Sequence, residues 1–327
     1  MSTHRLLAAL ATLLATLLAM PAWAQPGTFP ERDKQLRIVV PFAPGGGVDN
    51  AARLLGEQLR KQLGIPVIVD NKAGGSGTIG GKAVQASPAD GYTLLFSAAT
   101  HVLAKQVLSN APYDPQTDFA PVARVGEAPL MLVISPQLPQ QKLSDVLAAA
   151  RQQPDKWTAA IPAAGAPSHL AALLLARQGG VRFTYVPYKG TQPAMIDVGG
   201  GHVNLLLDSM ISVLPLAKAG KVRPIAITSK ARSTLAPDVP TVQESGVAQF
   251  AYASWYGVWA PKDTPPARIV FLNAAINAAV GEIAKRGAFA SLGIDPVTES
   301  PEQFRKFIAA DVAQGAELLK SSGFKPE

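Results

Sequence analysis

The stretch from Ile38 to Arg53, IVVPFAPGGGVDNAAR, decides how the chain folds, and the remaining sequence is read outward from it. Leu36, Ile38, Val39 and Val40 form a short apolar run of the kind that makes a buried strand. The run breaks at Pro41 and Pro44, passes through Gly45, Gly46 and Gly47, and then turns helical. Ala51, Ala52, Leu54, Leu55, Leu59 and Leu63 recur at helical spacing, with Asp49 or Asn50 as N-cap residues. A strand that feeds a glycine turn opening a helix points free amides at one spot, with the positive end of the helix dipole behind them. Such turns are also common as plain connections in α/β proteins. Neither phosphate version of the turn fits: Gly81-Lys82 is followed by Ala83, and Gly45-Gly46-Gly47 is not G-x-G-x-x-G. A small carboxylate suits the turn better than a nucleotide.

The N-terminus reads as a secretory signal. Arg5 supplies its positive charge, Leu6 to Met20 is apolar, and Ala22-Trp23-Ala24 is a cleavage site. A mature chain beginning at Gln25 lowers the net charge from +7 to +6, and no later segment reads as long and apolar enough to span a bilayer. About 300 mature residues favour two lobes over one core. The chain has no cysteine, which excludes disulfides and thiolate metal sites. Lys and Arg are scattered singly and only 6% of residues are aromatic, so the basic balance reads as a solvated surface and no nucleic-acid partner is expected.

The first lobe alternates strand and helix. Val67-Ile68-Val69 leads into the small-residue loop Asn71 to Gly80, which carries Ser76 and Gly77; Thr93 to Phe96 ends in Ser97-Ala98-Ala99-Thr100. Loops at the carboxyl ends of neighbouring parallel strands share one crevice. A second lobe follows the strand reading Val122 to Ile134. It has a helix from Leu143 to Gln152, a strand from Thr158 to Ile161, and the loop Pro162 to Pro167, after which Ser168 is a candidate helix cap. The strand from His202 to Leu207 delivers Asp208 beside another helix start, where it either caps that helix or faces a ligand. Phe250 to Ala260 is a second extended crossing, and helices over Pro265 to Val280, Gly281 to Leu292 and Pro301 to Lys320 close the chain. His101, His169 and His202 lack metal-ligand spacing, and Ser76 is not in a nucleophile elbow, so no metal, cofactor or catalytic residue is expected.

Several motifs, in order, resemble the Bug proteins, extracytoplasmic solute receptors of the tripartite tricarboxylate transporter type. Pro41-Phe42-x-x-Gly45-Gly46-x-x-Asp49-x-x-Ala52-Arg53 is similar to the family's first loop, and Asn71-Lys72-Ala73-Gly74-Gly75-Ser76-Gly77-Thr78-Ile79-Gly80 to its second. Asp90-Gly91-Tyr92-Thr93, Pro167-Ser168-His169-Leu170, Val186-Pro187-Tyr188-Lys189-Gly190 and Pro237-Asp238-Val239-Pro240 continue the resemblance along nearly the whole mature chain. It implies an α/β, type II periplasmic-binding-protein fold, in which two α/β lobes joined by two crossing strands close a ligand cleft. The lobe bounds expected are 25–127 with 251–327, and 128–250, behind a signal peptide over 1–24. The resemblance further implies a periplasmic receptor, a monomer, that captures a small organic acid for membrane transporter subunits. The competing readings are a ligand-sensing partner of a membrane signalling protein and an exported hydrolase. The ligand contacts so implied are Phe42, Pro44, Gly45, Gly46, Gly47, Val48 and Asp49 of the first loop; Ser76 and Gly77; Ser97, Ala98, Ala99 and Thr100; and Ala163, Ala164, Gly165, Ser168, His169 and Asp208 on the second lobe. Gly47 stands where the family usually has proline, and Pro162-Ala163-Ala164 where a serine-bearing loop is common. Fewer hydroxyls tilt the expected ligand toward a less polar acid, a dicarboxylate or an aromatic one.

Overall fold

The structure, a computed structural model, describes residues 29–326, so the leader expected over 1–24 lies outside the described residues. The first α/β unit consists of β1 (Leu36–Val40), α1 (Gly47–Leu63), β2 (Val67–Asn71), α2 (Thr78–Gln85) and β3 (Thr93–Ser97). β1 lies between β2 and β3 and is parallel to both, which brings three strand-to-helix loops to one edge. α1 buries Ala51, Ala52, Leu55 and Leu59 on one face, and it stops at Gly64, whose left-handed φ of 67° lets its amide close on Arg60 O. Two single-turn helices, α3 (Ala99–Val102) and α4 (Ala104–Val107), continue from β3.

The second lobe repeats the plan. β5 (Thr158–Ile161) runs parallel to β6 (Thr184–Pro187) and β7 (Leu205–Ser209). Two separate apolar clusters cover the faces of this sheet. Helices α5 (Leu143–Gln152) and α6 (Pro167–Gly179) pack on Leu130, Leu132, Ile134 and Leu205. Helices α7 (Thr191–Gly200) and α8 (Met210–Lys218) pack on Met131, Val133, Ala160 and Leu206. Alternate residues of one strand thus serve opposite faces, as the pleat requires.

That strand is β4 (Phe119–Ile134), sixteen residues long and shared by both lobes. Its first part pairs antiparallel with β9 (Ala253–Pro261); its last five residues pair with β7, and Met131–Ile134 also pair with β8 (Arg223–Ile227). The buried Thr228 hydroxyl donates to Tyr252 O at 2.6 Å and accepts from Leu130 N at 2.8 Å, tying the two crossing segments together. The sequence places both crossings correctly but starts the first three residues late.

The chain then returns through α9 (Pro266–Lys285), the short β10 (Asp295–Pro296) and α10 (Pro301–Ser321). The sequence reading breaks α9 at Gly281, yet the helix continues through it. A helical glycine costs about 1 kcal/mol, and burial of Ile276, Ala279, Val280 and Ile283 outweighs that. Contrary to the sequence reading, α9 is long and apolar enough to cross a membrane by length and composition, the one such helix among the described residues. It packs chiefly on α1 and β4 and also touches β10 and the last helix. Ser300 caps α10 in a reciprocal capping box with Gln303.

Candidate ligand-binding site

The start of α1 faces a buried cavity between the lobes. Gly46 occupies the N-cap position with no side-chain cap, and the first amide to close onto the helix is Asn50, which donates to Gly46 O at 2.9 Å. The amides ahead of it lie outside the helical ladder, at the positive end of the dipole. Gly46, Gly47, Val48 and Asp49 line the cavity, with Phe42 and Thr100 from the same lobe and Pro162, Ser168, Thr191, Asp208 and Ser209 from the other. Thr100 is 1% exposed, and its hydroxyl has no partner among the described residues; the same holds for Ser97 just behind it, at 0%. Such orphaned hydroxyls cost free energy unless something else meets them.

Asp49 does not cap the helix. It stands in the first turn, 2% exposed, and folds back on the loop. Oδ2 accepts from Gly45 N at 2.8 Å and from Arg53 Nε at 2.9 Å, while Oδ1 accepts from Asn71 Nδ2 at 2.8 Å. Burial pushes its carboxyl upward, but Arg53, the Gly45 amide and Asn71 together hold it below the ordinary value. Gly45 N–H is therefore spent inside the loop. Gly45 has φ 85°, a conformation that favours glycine.

Asp208 is different. It is the penultimate residue of β7 at 7% exposure, with Oδ1 accepting from Ser209 N at 2.6 Å and Oδ2 from Thr191 Oγ1 at 2.7 Å. The Ser168 hydroxyl donates a third hydrogen bond. Burial pushes this carboxyl up to about 6, only partly offset by those three neutral donors. No cation contributes. Ser168 is not the N-cap of α6 either: Ala166 holds that position and Pro167 is the first helical residue.

The two walls meet closely. A Cβ at Gly47 would lie 2.7 Å from Ser209 Cβ, and one at Gly46 would lie 3.1 Å from Thr191 Oγ1. Gln192 Nε2 donates to Gly45 O at 3.1 Å, Ala43 N to Lys189 O at 3.2 Å, and Ala164 N to Ser76 Oγ at 3.3 Å, so three hydrogen bonds cross the cleft. The cavity they enclose is small, about 40 Å³. A second, outer pocket of about 310 Å³ adjoins it, and Phe42 and Pro162 line both.

The expected residues divide accordingly. Phe42, Gly46, Gly47, Val48, Asp49, Thr100, Ser168 and Asp208 line the inner cavity. Ser76, Gly77 and Ala163 line the outer pocket, where Ser76 takes the left-handed φ of 49° that non-glycine residues seldom adopt. Pro44, Gly45, Ser97, Ala98, Ala99, Ala164, Gly165 and His169 line neither. His169 is fully buried; its Nδ1 accepts from Gly165 N at 3.1 Å, and its ring packs against Tyr185 and Phe324. Burial holds it down to about 4, hence neutral. Sequence reasoning missed Thr191, Ser209, Ser254 and Tyr256, all in the inner wall. Thr191 had a readable signal, since Gly190-Thr191 opens a helix after a strand as Gly46-Gly47 does.

Known proteins agree with this architecture. Residues 51–324 match the model of the family described as "Tripartite tricarboxylate transporter family receptor". The chain is 39% identical to Protein BugT of Bordetella pertussis over 99% of both chains. Among solved structures, R. palustris Rpa4515 with adipate is 33% identical with a TM-score of 0.87, over 91% of this chain and all of that one. MatC from Rhodopseudomonas palustris with bound malate is 31% identical with a TM-score of 0.82, over 89% of this chain and all of that one. A lobed α/β fold, a cleft closed on an uncapped helix start and this breadth of similarity converge: the chain belongs to the receptor family of the tripartite tricarboxylate transporters.

Proposed function

We propose that the protein captures a small organic acid in the inner cavity and passes it to the membrane subunits of a tripartite transporter. The observation that carries this reading is the uncapped start of α1 beside the unpartnered Thr100 hydroxyl, both at one cavity. Donors without acceptors in a buried cavity call for an anion. A hydrogen bond to a charged group contributes roughly 1.5–3 kcal/mol, and a dipole term about 0.3–2 kcal/mol. Four such bonds reach the roughly 8 kcal/mol of micromolar affinity. The adipate and malate of the two solved relatives are acids of this kind.

The reading includes residues 1–24 as a cleaved leader to the periplasm, lobes at 25–127 with 251–327 and at 128–250, and a monomer. It also includes binding without turnover. Ser168 hydrogen-bonds Asp208, whereas His169 engages Gly165 N, so the adjacent serine and histidine do not act as a pair. A thermal-shift panel of small acids tests the reading: an acid at a hundred times its Kd adds about 2.7 kcal/mol of stability. If no acid at saturating concentration raises Tm, the protein is not an acid receptor.

A further inference from the structure

Asp208 is an unusual residue for an anion-binding cavity. It is buried, it belongs to the cavity wall, and its three hydrogen bonds all come from neutral donors. An ionised carboxylate offers about four acceptor positions. Three are filled, which leaves about one for whatever occupies the cavity. A second carboxylate placed there would set two buried anions against each other with no cation between them. A hydrogen-bond donor at that point fills the open position instead.

Position then limits which ligand atom carries the donor. Thr191 Oγ1 lies 2.7 Å from Asp208 Oδ2 and 3.1 Å from where a Gly46 Cβ would stand. Ser209, whose amide bonds Asp208, is pressed against Gly47. The anion-binding amides and the acceptor are thus separated by little more than one head group. A cavity of about 40 Å³ has room for the equivalent of roughly three waters at 10–15 Å³ each. That accommodates a carboxylate and the substituents of the carbon next to it, while a longer tail has the outer pocket beyond Phe42 and Pro162.

We infer that the receptor selects acids bearing a hydrogen-bond donor on the α-carbon, an α-amino or α-hydroxy acid. The carboxylate lies on the amides at the start of α1 and the donor on Asp208. The inference rests on the acid-receptor reading and narrows it to a ligand class set by one side chain. Asp208 is then a specificity residue, and the donor set formed by Thr191, Ser168 and Ser209 N fixes its orientation.

Two matched trios, each differing only at the α-position, test this by isothermal titration: propionate, lactate and alanine; succinate, malate and aspartate. In the wild-type protein the α-substituted members of at least one trio should bind about tenfold or more tighter than the unsubstituted acid. The hydroxy and amino members separate the neutral from the cationic donor. In Asp208→Asn the ratio of substituted to unsubstituted affinity should shrink at least severalfold. Equal binding within every trio that binds, or a preference unchanged in Asp208→Asn, overturns the inference; the wild-type ratios decide it even if the variant fails to fold. If neither trio binds but adipate does, the α-donor class is wrong and the receptor reading stands. If adipate fails as well, both fall.

Discussion

Asp49 and Asp208 face the same cavity from opposite lobes, are about equally buried, and do opposite work. Asp49 is surrounded by an arginine, an asparagine amide and a backbone amide, which keep it ionised and hold the glycine loop in shape. Asp208 has only a threonine, a serine and one amide, and burial raises its proton affinity. Burial alone therefore does not set the proton affinity of a carboxylate in this cavity. The presence or absence of a compensating cation does.

Five substitutions break or sharpen this contrast. Asp49→Ala should be the most damaging. It strands the Gly45 amide, Asn71 and Arg53, and a loss of about 2–4 kcal/mol is expected from urea denaturation. A loss under about 0.5 kcal/mol would deny Asp49 its structural role.

Asp208→Asn should show its effect through pH. The folded-state pKa of about 6 lies above the ordinary 3.8, so the native state binds the proton more tightly than the unfolded chain. Wild-type stability from this group is then greatest below about 3.8 and is lost as pH rises through about 6. Asparagine does not titrate. The stability difference, variant minus wild type, should therefore grow by about 2 kcal/mol between pH 4 and pH 6, out of about 3 kcal/mol in all, and level off above about pH 7. A difference flat across that window would mean that Asp208 titrates normally.

Gly47→Val places a branched side chain where Ser209 and the Tyr256 hydroxyl now pack, while leaving α1 itself formed. Overpacking of this kind costs about 1–3 kcal/mol, read as binding roughly tenfold to a hundredfold weaker by titration calorimetry. Unchanged affinity would show that the lobes need not approach this closely. Gly46→Val should act in the same direction against Thr191, with a smaller effect because its nearest contact is 3.1 Å away. Least sensitive is Arg53→Ala. Its side chain is 51% exposed, so solvent screens the pair with Asp49 and the loss should stay near 1 kcal/mol or below.

Much of this was legible in the sequence, for identifiable reasons. Glycines between an apolar run and a helical repeat mark the uncapped helix start, where Gly46 and Gly47 line the cavity, and Asp208 near a strand's carboxyl end is on its wall. Strands and helices were read from local periodicity, which survives folding. What failed depended on tertiary contact. The sequence offers Asp49 or Asn50 as the cap because nothing local announces Asn71, twenty-two positions away, as the partner of Asp49. Gly281 was read as a break because the packing of α9 is invisible along the chain. Ser209 and Tyr256 join the cavity through the approach of two lobes, and no spacing in the sequence records that approach.

β4 gives the molecule a mechanical property of its own. Because one continuous ribbon serves both sheets and Thr228 fastens it to its neighbour, the halves are not free to swivel independently. A sheet ribbon flexes easily out of its plane and resists sliding within it. A hinge of this build would bend as one ribbon, not as two independent links.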